Sequence, residues 1–153
     1  QTLERTGAPA HSLLFEVTES LLIEHVDDTV ARMNELVAMG IRFSIDDFGT
    51  GYSSLSYLKR LPLYELKIDK GFVNEVPQDA GNTGIVRAIL SMARHLNLRV
   101  VAEGVETATQ ATFLANSACD AMQGYHFARP RPLSEWLRDA LASGPQAMLP
   151  RSP

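Results

Sequence analysis

The sequence predicts a parallel α/β fold made as one domain, and three features predict it. Short apolar runs of strand character alternate with stretches of helical periodicity down the chain. No linker or shift of composition interrupts that alternation. Acidic residues recur where the strands should end, as expected when parallel strands present their C-terminal ends on one face. With 153 residues, 45% of them hydrophobic, the chain has enough apolar content for one core.

Ser12–Thr18 (SLLFEVT) reads as the first strand, a short apolar run between turn-forming residues. From Asp28 the apolar positions move to Val30, Met33, Leu36 and Val37, one face of a helix that Gly40 ends. Ile41–Asp46 is the second strand, followed by a Gly- and Ser-rich loop, Asp47–Ser54, and a short helix, Leu55–Lys59. Leu63–Asp69 is the third strand, with Leu66 and Ile68 on one side and Lys67 and Asp69 on the other. Asn82 or Thr83 caps a helix carrying Ile85, Val86, Ile89, Leu90, Ala93 and Leu96. Leu98–Glu103 is the fourth strand, Thr107 begins the next helix, and Cys119–Gly124 is the fifth strand. Ser134 caps a last helix with Trp136, Leu137 and Leu141, and Gly144–Pro153 has the composition of a flexible tail. These elements fit a doubly wound sheet or part of a (β/α) barrel.

Composition excludes several functions. A net charge of −4 argues against a broad basic surface for a nucleic acid polymer. Cys119 is the single cysteine, so no internal disulfide forms and a reducing, cytoplasmic setting is expected. No apolar run is long enough to span a membrane. The chain opens at Gln1 without an initiator Met or a signal region, as if excised from a longer protein. His11, His25, His95 and His126 show no ligand spacing, which speaks against a zinc site.

The acids carry the chemistry. Glu16 and Glu19 flank the end of the first strand, Asp46 and Asp47 end the second, Asp69 ends the third, and Glu103 and Glu106 end the fourth. A single acid after a strand is commonly a helix cap or a solvated loop residue. Four strand ends in succession point instead to a shared site. Carboxylates gathered there repel one another unless cations intervene, and oxygen ligands suit hard divalent ions such as Mg²⁺ or Mn²⁺. A two-metal site is the natural reading. Lys67, two residues before Asp69 on the same side, can form a salt bridge or supply positive charge beside a phosphate or an attacking water. The loop Gly49–Ser54 matches neither a Walker loop nor GxGxxG and reads as a flexible segment beside the acids.

At these residues the sequence resembles the EAL domain family. FEVTES (15–20), DDFGTGYSSLSYLKRLPLYELKIDKGFV (46–73), VAEGVET (101–107) and QGYHFARP (123–130) carry the resemblance, in order, over about Leu13–Leu137. It implies a (β/α)8 TIM-type barrel, about five of its strands present in 1–143, that hydrolyses cyclic di-GMP to linear pGpG with Mg²⁺ or Mn²⁺. It implies metal ligation by Glu16, Asp46, Asp47 and Glu103, general-base work by Glu103, and placement of the hydrolytic water by Lys67, Asp69 and Gln123. Glu19 and Glu106 match the family's loop-supporting acids. Arg129 and Pro130 are candidates for the rim of the guanine pocket or for a structural turn.

The family's Glu-Ala-Leu tripeptide and its upstream Asn ligand do not occur in this sequence. Impaired hydrolysis by this chain alone is therefore expected, with an upstream regulatory or sensor domain in the parent protein, which could be membrane-anchored. Open barrel edges could pair with a second copy as a homodimer. The alternative function is a binding module that holds cyclic di-GMP without cleaving it.

Overall fold

The structure, a computed structural model, describes residues 2–18, 26–49 and 58–143, with side chains through residue 138. A short helix, α1 (Thr2–Thr6), and a 3-10 turn (Ala10–Ser12) lead into β1 (Leu14–Thr18). There follow α2 (Val26–Ala38), β2 (Arg42–Phe48), β3 (Glu65–Ile68), the one-turn α3 (Lys70–Val73), and α4 (Ala80–His95). The chain continues through β4 (Arg99–Ala102), α5 (Ala108–Asn116), β5 (Ala121–Met122) and α6 (Leu133–Ser143).

The five strands among the described residues are all parallel, and their order in space is their order in sequence. A doubly wound sheet reverses its winding at a switch point. No reversal occurs among the described strands, so the sheet is wound in one direction, as successive strands of a (β/α)8 barrel are. This decides between the two architectures that periodicity left open.

Strand alternation divides the sheet into two faces. Leu66 and Ile68 of β3 are fully buried in a core shared with Phe43, Ile45, Val100 and Ala102. Val86, Ile89, Leu90 and Ala93, the apolar stripe of α4, belong to the same core, and α4 lies against β3 and β4. The other face carries Ser44, Glu65, Lys67 and Arg99.

Three helices stop in the same way, and each stop aims the chain into a strand. After α2, α4 and α5, Gly40, Asn97 and Ala118 take positive φ of 99°, 55° and 57°. Their amides donate to Val37, Arg94 and Ala115, while the next amides, of Ile41, Leu98 and Cys119, reach back to Leu36, Ala93 and Leu114. These are Schellman motifs, which satisfy the last carbonyls of each helix. Glycine takes this conformation freely, whereas Ala118 pays for its Cβ.

Several boundaries differ from the sequence reading. The first strand begins at Leu14 rather than Ser12, because Ala10–Ser12 closes a 3-10 turn in which Ser12 donates to Pro9 and Leu13 to Ala10. The fifth strand is Ala121–Met122 rather than Cys119–Gly124, since Cys119 completes the cap of α5. Asp79, not Asn82 or Thr83, caps α4: its Oδ1 accepts from the Asn82 amide at 2.6 Å. The first turn there, Ala80–Gly81–Asn82, carries no apolar stripe by which sequence could place it. The last helix starts at Leu133, so Ser134 lies inside its first turn. Thr107 caps α5 as expected, in a full capping box with Gln110. Residues 50–57, with most of the Gly-Ser loop and of the short helix, lie outside the described residues, as do Glu19, His25 and the tail 144–153.

Candidate metal and phosphate site

The site is assembled at the C-terminal ends of the strands. Lys67 rises from β3 with 8% of its side chain exposed, and three carboxylates, from β1, β2 and the end of β4, close on it. Its Nζ lies 2.7 Å from Glu103 Oε1, 3.0 Å from Glu16 Oε1 and 3.1 Å from Asp46 Oδ1. Glu16 comes from β1, Asp46 from β2, and Glu103 directly follows β4. Burial alone would lower the Lys67 pKa, but its contacts with Glu103, Glu16 and Asp46 outweigh it and hold the ammonium above the usual lysine range. The contribution of these ion pairs is therefore present below the unfolded lysine value and lost only in strongly alkaline solution.

Asp47 joins this group by a local irregularity. In a regular strand, adjacent residues point to opposite faces, so Asp46 and Asp47 would part company. The β2–β3 register shifts between Ile45 and Phe48, and Asp47 takes φ 53°. Such a bulge re-aims a side chain, and aspartate tolerates the left-handed region better than most residues. Oxygens of Asp46, Asp47 and Glu103 consequently lie within 4.8 Å of one another. The Asp47 carboxyl is raised above its ordinary pKa by desolvation first, then by the charges of Asp46 and Asp69, with Lys67 opposing.

This donor set fits a divalent cation. Asp46 Oδ1 is sealed from solvent and lies 3.1 Å from the Lys67 ammonium. Asp46, Asp47 and Glu103, whose oxygens lie within 4.8 Å of one another, bring more negative charge than one ammonium offsets. Oxygen-only ligands match hard ions of the Mg²⁺, Mn²⁺ and Ca²⁺ type.

A cleft of about 380 Å³ adjoins the acids and is lined by Asp47, Asp69, Glu103, Glu106, Gln123 and Tyr125, among others. Asp69 has two roles in view: it faces this cleft, and its Oδ1 also caps α3 through the Gly71 amide at 2.8 Å. Gln123 is pinned by its backbone, donating to Ala102 at 2.9 Å and accepting from Val105 at 3.0 Å. Glu106 is held at its amide by Gln110 Oε1. Between Glu103 and Val105, Gly104 has φ 69°, and a Cβ there would stand 2.4 Å from Lys70 Cβ. This close approach explains why glycine follows Glu103.

Glu16 reaches the group through Lys67 and lies outside the Asp46–Asp47–Glu103 cluster. Two of the three described histidines make contacts away from the acids: His95 Nδ1 contacts Ser91 O, and His126 packs edge-on to Phe127. Arg129 stacks over Tyr125 at 4.5 Å, which places it beside the cleft through an aromatic contact. Tyr125 and the buried Glu65 escaped the sequence reading. The Gln-Gly-Tyr run could have signalled Tyr125, whereas Glu65 follows an apolar stretch with no signal of its own.

The EAL domain family model matches residues 1–130. The chain belongs to the EAL domain family. It is 51% identical over 135 residues to MucR of Pseudomonas aeruginosa, a bifunctional diguanylate cyclase/cyclic di-GMP phosphodiesterase, covering 88% of this chain and 20% of that protein. It thus spans about a fifth of that relative's length. Its fold is similar to a MucR phosphodiesterase solved with c-di-GMP, with a TM-score of 0.83 and 48% identity, over 88% of this chain and 54% of that one. It is also similar to Klebsiella pneumoniae BlrP1 solved with manganese and cyclic di-GMP. There the TM-score is 0.77 and the identity 33%, over 84% of this chain and 33% of that one. This EAL-domain chain is therefore homologous to cyclic di-GMP phosphodiesterases. Among the described residues no helix is long and apolar enough to cross a membrane.

Proposed function

We propose that this chain carries most of the acidic centre of a phosphodiesterase, and that the protein containing it hydrolyses cyclic di-GMP to linear pGpG. One observation carries the reading: in an EAL-domain sheet, Glu16, Asp46 and Glu103 from three strands converge on the buried Lys67, with Asp47 alongside. Glu16, Asp46, Asp47 and Glu103 are assigned to hold Mg²⁺ or Mn²⁺. Such ions, when bound, neutralise a phosphodiester and make a bound water more acidic.

The chain's own side chains do the remaining work. Lys67 sets a fixed positive charge where the phosphate must sit among carboxylates. A Glu103 carboxylate oxygen accepts the proton of the water that attacks phosphorus. Asp69 and Gln123, facing the same cleft, orient that water. Glu106 supports the cleft, and Glu19 is assigned to steady the loop after Asp47.

Because this chain holds neither the family's Glu-Ala-Leu glutamate nor its upstream Asn, its own turnover is proposed to be impaired. Residues 1–143 would act as the C-terminal portion of the EAL domain, 144–153 as a tail, in the cytoplasm under an upstream regulatory domain. The test is hydrolysis of cyclic di-GMP in Mn²⁺ by this chain and by its longer parent. Production of pGpG by the parent, lost on Glu103→Ala, supports the enzyme. Binding by the parent without cleavage favours a non-catalytic cyclic di-GMP module, and rapid turnover by this chain alone refutes the impairment.

A further inference from the structure

We propose that Lys67 is the resident cation of the metal-free site, and that divalent ions bind in competition with it for the carboxylates it holds. This rests on the reading above, that the same acids bind a divalent ion. Two sets of contacts share side chains. Lys67 Nζ holds Glu103, Glu16 and Asp46 at 2.7, 3.0 and 3.1 Å. Oxygens of Asp46, Asp47 and Glu103 form the cluster suited to a metal ion. Asp46 and Glu103 belong to both.

The lysine cannot step aside as a surface lysine does. It stands on β3 between β2 and β4, with its side chain 8% exposed. Its charge therefore acts in two opposed directions. Without metal, it holds together three carboxylates that would otherwise repel one another. With metal, it becomes a like charge beside the ion, and Asp46 and Glu103 must divide their oxygens between the two cations. The structure thus assembles the site in advance and spends metal affinity to do so.

The test compares the whole chain with its Lys67→Gln variant, reading Mn²⁺ binding by electron paramagnetic resonance and melting in EDTA and in Mn²⁺. In EDTA the variant is expected to melt several degrees lower. In Mn²⁺ it is expected to bind the ion about tenfold more tightly, the order of effect of removing a neighbouring like charge, and to gain more stability on binding. Equal or weaker Mn²⁺ affinity overturns the competition, and equal melting in EDTA overturns the resident-cation role. Failure of both proteins to bind Mn²⁺ sinks the metal reading itself, whereas equal binding sinks this inference alone. Should the variant not fold, the ¹⁵Nζ ammonium signal of Lys67 in the unmodified chain decides. It is expected to shift when Mg²⁺ is added, and an unmoved signal overturns the proposal.

Discussion

One face of the sheet carries two layers of charge, a single strand repeat apart, and they are built on opposite rules. In the lower layer Ser44, Glu65 and Arg99 are register neighbours on β2, β3 and β4. Ser44 donates to Glu65 Oε1 at 3.3 Å, and Arg99 Nη1 lies 3.8 Å from Oε2. Glu16 of β1 is in register with Ser44 as well, but its carboxylate reaches up to Lys67, which leaves one acid meeting one base. Two residues further along β2 and β3, Asp46 and Lys67 enter a group where Glu16, Asp46 and Glu103 crowd one ammonium and Asp47 stands beside them. Glu65 and Lys67 are equally buried, so burial does not distinguish a structural charge from a functional one. Imbalance does. The lower layer is complete as it stands, whereas the upper layer holds excess negative charge that an added cation would relieve.

The comparison breaks most visibly at Asp46. Asp46→Asn is expected to weaken Mn²⁺ binding by at least about a hundredfold, since outer contacts alone are worth 10–100-fold. Glu65→Leu should leave that affinity within about twofold. Titration of both variants with Mn²⁺ checks the contrast, and a large effect from Glu65→Leu would mean that the layers are not separate.

Gly104→Ala tests how the upper layer is held. The new Cβ would press on Lys70 and force a positive φ next to Glu103, costing about 2–3 kcal/mol in urea unfolding. A loss below about 0.5 kcal/mol would show that the backbone yields there. Glu65→Leu should cost about 1–2 kcal/mol by the same measurement, because it leaves the fully buried Ser44 hydroxyl without its partner.

The smallest effect is expected at Asp47. A carboxyl whose pKa is raised by folding contributes most below its unfolded value, and that contribution is lost as pH rises through the folded one. In metal-free solution Asp47→Asn should therefore match the unmodified chain below about pH 3 and melt slightly higher at neutral pH. Saturating Mn²⁺ should reverse that order. A variant that melts lower at neutral pH in EDTA would contradict the assigned repulsion.

Much of this was readable from residues in order. The apolar–polar alternation of Leu66, Lys67, Ile68 and Asp69 placed two side chains in the core and two on the face of the site, because strand geometry is local. The Asp79 cap and the short helices α1 and α3 were not readable, since a cap one turn ahead of the apolar stripe leaves no periodic mark. Asp69 shows that a helix cap and a cleft-facing acid need not exclude each other.

The alternation of strand and helix and the core stripes could be read along the chain, because each follows from contacts within a few residues. Acids were rightly expected toward the C-terminal ends of the strands, although Glu16, Asp46 and Asp47 lie within β1 and β2 rather than after them. Only the tertiary structure decided the winding of the sheet, the gathering of Glu16, Asp46 and Glu103 on Lys67, and the turn that brings Asp47 beside Asp46. The reason lies in register. Which residues face one another across strands, and where a bulge interrupts the alternation, depends on pairing between segments far apart in the chain.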